Sequence, residues 1–124
     1  MWDSINRRKF PRANYKCLID IKKKGSSKSI STHTENIGVG GICVIIKDSL
    51  GLFQGVNLEI HLEDEKTPIK CAGTAVWIVK KRPEKKEDSY SYDTGIEFVD
   101  LDDNQRERII KIVDYILKKQ TPSP

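Results

Sequence analysis

Two short stretches of this sequence carry side chains that could hold a ligand. The first is Arg7-Arg8-Lys9-Phe10-Pro11-Arg12, with four cations in six residues. Guanidiniums are planar, permanently charged forks that match phosphate or carboxylate oxygens and stack on flat π-faces. Pro11 opposes a helix through the stretch. It therefore reads as an extended basic arm, with a solvated tail as the plain alternative. The second stretch is Asn36-Ile37-Gly38-Val39-Gly40-Gly41. Asn36 can donate and accept at once, as reading a base edge requires. The glycines open the turn to positive φ and to close approach of a ligand. Taken alone, such a turn is most often only a hairpin.

Other reactive residue types do not assemble into a known constellation. His33 and His61 fall on the polar sides of strands with no third ligand at useful spacing, so no metal site is expected. Asp102 and Asp103 read as helix capping rather than as paired catalytic acids. No Ser-His-Asp or Cys-His arrangement is suggested, so no catalytic residue is assigned and an enzyme is not expected. Cys17, Cys43 and Cys71 are odd in number, widely spaced and without a CxxC. They read as small buried hydrophobes of a protein in the reducing cytoplasm.

The elements that must position the two stretches are mostly strands. Tyr15–Lys22 alternates Cys17, Ile19 and Ile21 with Leu18, Asp20 and Lys22. Ser29–Asn36 is a polar strand rich in Ser and Thr, and Ile42–Ile46 a short apolar one. Val56–Leu62 has the cleanest alternation, with Val56, Leu58, Ile60 and Leu62 inside. Ile69–Lys80 is a long strand with Cys71, Gly73, Ala75, Trp77 and Val79 on one side. Tyr90–Val99 is the last strand. Asp102 then caps a helix, with Gln105 as a partial capping box. That helix runs to about Lys118 with an apolar stripe of Ile109, Ile112, Val113, Ile116 and Leu117. Six strands at hairpin-like spacing and one helix predict a mainly β fold: a six-stranded antiparallel barrel with a C-terminal α-helix. The division is a flexible basic arm over 1–14, the barrel and helix over 15–119, and a disordered tail over 120–124. Trp77 has two readings, a core residue or an outward ring on which a flat ligand could stack.

The chain has 124 residues, 37% hydrophobic and 32% charged, which suits one domain with a highly charged surface. A net charge of +4 is too mild a bias to argue for nucleic acid. The Phe and Tyr residues do not group on one strand face, which also speaks against single-stranded RNA or DNA. No signal-peptide pattern and no run approaching a membrane span is present.

Taken together and in order, the two stretches resemble the motifs of the PilZ family. The arm holds RxxxR as Arg8-Lys9-Phe10-Pro11-Arg12, and the turn holds [D/N]xSxxG as Asn36 to Gly41, with Gly38 at the serine position. The likeness extends through Gly73–Val79 around Trp77 and through Thr94–Leu101. It implies a PilZ-type barrel that binds the bacterial second messenger cyclic di-GMP, taken up by many members as a stacked pair of molecules. By that resemblance Arg8 and Arg12, assisted by Arg7, grip phosphates and guanine Hoogsteen edges. Asn36 and the turn backbone through Gly38, Gly40 and Gly41 read base edges, and Trp77 is the candidate stacking ring. No further cofactor is implied. The role is that of a monomeric or weakly self-associating sensor that relays the ligand to an unidentified protein effector in motility, adhesion or biofilm control. The alternative is a degenerate domain that no longer binds nucleotide and serves as an interaction scaffold. A neutral hydrogen bond contributes roughly 0.5–1.5 kcal/mol and one to a charged group roughly 1.5–3. Losing the serine hydroxyl is therefore expected to weaken binding while the arginine contacts sustain it.

Overall fold

The computed structural model describes residues 11–120, apart from 65, 86 and 88. The strands are β1 (Arg12–Asn14), β2 (Leu18–Lys23), β3 (Ser29–Gly38), β4 (Gly41–Ile46), β5 (Gly55–His61), β6 (Ile69–Lys81) and β7 (Ser91–Phe98), and the helix is α1 (Asp103–Gln120). All strand pairings are antiparallel. The order is β1-β3-β2-β5-β6-β7-β4, and β4 returns to pair with β3. Six strands, β2 to β7, thus close into a barrel with one helix after it, and β1 is an added strand laid along β3. Residues 12–14, placed in the arm by sequence reasoning, are that added strand. Their side chains carry little strand signal, and a partner in β3 supplies the missing hydrogen bonds.

β-Branched residues at every second position give each strand one apolar face, and closure turns those faces inward. Ile19 and Ile21 of β2, Ile37 of β3, Ile42 and Val44 of β4, Val56 and Ile60 of β5 and Ile96 of β7 are all buried in one cluster. Two bulges interrupt the alternation. One lies between Thr34 and Asn36 where β3 pairs with β4. The other lies between Ala75 and Trp77 where β6 pairs with β7. A bulge inserts one residue and reverses the facing of all that follow. Thr34 and Ile37 are therefore both buried although three residues apart, and Asn36 faces out. Buried Thr34 fixes the first bulge: its hydroxyl donates to the Tyr15 carbonyl at 2.6 Å and accepts from the Cys17 amide at 3.1 Å.

α1 begins with the capping box read from the sequence. The Gln105 amide donates to Asp102 Oδ1 at 2.7 Å, and the Asp102 amide donates to Gln105 Oε1 at 3.1 Å. Arg108 makes a two-pronged ion pair with Asp64, both bonds at 2.9 Å, and so ties the helix to the β5–β6 loop. Ile109 and Val113 are buried, and the helix rests on β1 and β3.

Candidate functional site

β1 carries Arg12 onto the barrel. Its register sets Arg12 opposite Gly38 and Asn14 opposite Asn36. The last residue of the arm motif and the first residues of the turn motif therefore lie side by side. Arg7 and Arg8 lie outside the described residues. Gly38 permits this closeness. A Cβ at position 38 would lie 2.7 Å from the Pro11 carbonyl oxygen and 3.1 Å from Arg12 Cγ. A serine there would press on the backbone of the incoming arm. None of Gly38, Gly40 and Gly41 has a positive φ. The turn uses glycine for close approach, not for the left-handed backbone expected from the sequence. Gly41 starts β4 opposite Glu97, and the Gly40 carbonyl accepts from the Phe98 amide at 3.0 Å.

Residues paired across an antiparallel sheet share a face. Asn36 pairs with Cys43, Cys43 with Gly95, and Gly95 with Trp77. Their neighbours Ile37, Ile42, Ile96 and Ala75 are core, so this row looks outward. Two strand spacings put Asn36 roughly 10 Å from Gly95 along the row. Trp77 does not share the inward side with Cys71, Gly73 and Ala75, as the alternation had suggested. The bulge before it turns it out, half-buried, with its indole lying on Gly95. A side chain at position 95 would collide with the indole Nε1.

Asp93 stands two residues from Gly95 on the same face. Its Oδ2 accepts from Lys81 Nζ at 2.8 Å. Its Oδ1 and the Oδ1 of Asn36 are both sheltered from water and have no hydrogen-bond partner among the described residues. An unsatisfied buried acceptor costs about 1–3 kcal/mol, and both of these could accept from an added donor. The thiol of Cys43, half-buried between them, is pushed up in pKa by burial and by Asp93, while Arg12 and Lys81 pull it down. Those interactions place both cations within electrostatic reach of the row. Burial pushes the Cys71 thiol up to about 12. Asp93 in turn raises the Lys81 pKa, first through the hydrogen bond itself.

The arm and turn motifs pointed to Arg12, Asn36, Gly38, Gly40 and Gly41, and the structure gathers these at one end of the face. Cys43, expected as a buried hydrophobe, instead stands half-buried on this outward row, because its pairing partners Asn36 and Gly95 face out; Asp93 and Lys81 were not singled out. No motif marks them, and only the pairing of β4, β6 and β7 brings them in.

A family model for the PilZ domain matches residues 6–115. The chain belongs to the PilZ family. No curated protein matches it by sequence. Among solved structures, the Bacillus subtilis inhibitor of motility MotI superposes with a TM-score of 0.77 at 19% identity, covering 94% of this chain and 54% of that one. The PilZ domain of Escherichia coli YcgR with c-di-GMP gives a TM-score of 0.71 at 9% identity, covering 91% and 93%. The MrkH–c-di-GMP complex of K. pneumonia gives 0.73 at 18% identity, covering 92% and 53%. The chain spans about half the length of MotI and MrkH, and at these identities the likeness establishes the PilZ fold.

Proposed function

We propose that this PilZ domain is a receptor for cyclic di-GMP and uses the outer face of β3, β4, β7 and β6 to bind it. The observation that carries the reading is the β1–β3 register, which sets Arg12 against Gly38 and next to Asn36. The ligand is a dianion with two purines. It needs cations for its phosphates, flat surfaces for its rings and acceptors for guanine N1–H and N2–H. Arg12, with Arg7 and Arg8 from the arm, supplies the first. The Trp77 indole supplies stacking, which contributes ~1–3 kcal/mol per base. Asn36 and the backbone of Gly38, Gly40 and Gly41 read a base edge. Asp93 adds an acceptor that suits guanine and repels the N1 lone pair of adenine. A stacked pair of ligand molecules would give the guanidiniums further purine faces.

The output is a protein contact rather than catalysis. Ordering the arm over the ligand moves surface that an effector in motility, adhesion or biofilm control can read. The solved relatives named for motility inhibition and for c-di-GMP binding support that setting. Gly38 favours a second reading, a scaffold that has lost nucleotide binding, because the family's hydroxyl is absent there. Calorimetric titration of cyclic di-GMP into the parent chain and into Arg8→Ala, Arg12→Ala and Asn36→Ala separates the two. Saturable binding that collapses in Arg8→Ala and Arg12→Ala supports the receptor. No binding by the parent supports the scaffold. Equal affinity in all four proteins would sink the assignment of these residues.

A further inference from the structure

On the opposite arc of the barrel, β2 and β5 bring together a second group of side chains that lie about forty residues apart along the chain. Their register sets Asp20 directly across from Glu59, and Leu18 across from His61. Two carboxylates facing each other across a strand pair repel. His61 Nε2 lies 3.2 Å from Asp20 Oδ2, and the other Asp20 oxygen accepts from the Ser31 hydroxyl. One donor atom from each of Asp20, Glu59 and His61 lies within 4.8 Å of the other two. The Glu59 carboxylate has no hydrogen bond or ion pair among the described residues. Lys70 sits opposite it in β6, and Lys22 lies two residues beyond Asp20 on the same face.

We propose that Asp20, Glu59 and His61 form a binding site for one first-row divalent transition-metal ion of the zinc class. Donor atoms about 2.0–2.2 Å from a common ion lie roughly 3–3.5 Å apart. The Asp20–His61 pair already stands at that separation, and a modest turn of Glu59 brings the third donor in. A cation between the two carboxylates removes their repulsion. Ser31 holds the Asp20 carboxylate from behind, as hydrogen-bonded partners of metal ligands do. An imidazole in the set favours zinc, cobalt or nickel over magnesium or calcium. An open groove of about 610 Å³ beside Asp20 and Glu59 leaves room for water to complete the shell. The bound ion would bridge β2 to β5. The inference is independent of cyclic di-GMP.

The test is calorimetry with Zn²⁺ and visible spectroscopy with Co²⁺ on the tag-free full chain, with Mg²⁺ as control. One Zn²⁺ per chain is expected, displacing Co²⁺ and its d–d absorption, with no response to Mg²⁺. His61→Ala and Glu59→Gln should lose the site, and Ser31→Ala should weaken it roughly tenfold. His33→Ala and Cys43→Ser should bind as the parent does. All of these substitutions lie outside the core cluster, and circular dichroism confirms folding. No saturable Zn²⁺ binding overturns the proposal. So does unchanged binding in His61→Ala, or loss in His33→Ala or Cys43→Ser, either of which would put the ion elsewhere.

Discussion

Asp93 is the side chain most informative to remove. Its Oδ2 is paired with Lys81 on the outer face, and its Oδ1 has no partner among the described residues. Asp93→Ala is expected to leave the fold intact and to weaken cyclic di-GMP roughly tenfold, about the value of one hydrogen bond to a charged group. The same variant should narrow the preference for guanine over adenine dinucleotides, and paired titrations with cyclic di-GMP and cyclic di-AMP measure both. Gly38→Ser restores the family's residue but not its benefit. The added Cβ meets the Pro11 carbonyl, and the crowding should cost about 1 kcal/mol in urea unfolding as β1 is pushed off β3. Gly95→Ala should expel the Trp77 indole. A red shift in tryptophan emission together with weaker ligand binding is the expected result, measured in a Trp2→Phe background. Arg12 and Asn36 were legible as types at a spacing. Asp93 was not, because nothing in a linear sequence tells an ion-paired strand aspartate from a solvated one.

Periodicity gave the elements more faithfully than the facing of their side chains. Each of β2 to β7 appears within a few residues of its expected bounds, because alternating β-branched residues have one way to be buried. Trp77 and Asn36 show where that reasoning stops. Each follows a bulge, and the inserted residue (Glu35 in one strand, Val76 in the other) looks like any other strand residue. β1 was missed for a different reason, since its pairing comes from β3 and not from its own three side chains. α1 has a long-range ionic anchor on the β5–β6 loop. Arg108 holds the Asp64 carboxyl below its ordinary 3.8, first through their hydrogen bonds, and the pair is mostly buried, at 13% and 17% side-chain exposure. A depressed carboxyl pKa stabilises the fold at pH above the unfolded value, and the stabilisation is lost as pH falls through the folded one. Arg108→Ala should cost about 2 kcal/mol at neutral pH. The gap between parent and variant should close as pH drops below about 4, as denaturant curves at a series of pH values would record.

The whole molecule couples the face to stability by mass action. A ligand at one hundred times its dissociation constant adds about 2.7 kcal/mol to a fold that alone binds it. For a chain of 124 residues that corresponds to a rise in melting temperature of roughly 10 °C. Differential scanning fluorimetry with cyclic di-GMP should show it in the parent and not in Arg12→Ala.

The inside of the barrel is filled by isoleucine and valine from strands all around its circumference. A wall backed so solidly cannot dimple under a guest, so whatever news a ligand brings has to travel sideways across the skin. One lateral route runs from Arg12 through β1 to the helix resting on it. Solvent-facing Ile110 and Tyr115 of that helix are the first outward positions along the route where a passing protein would notice.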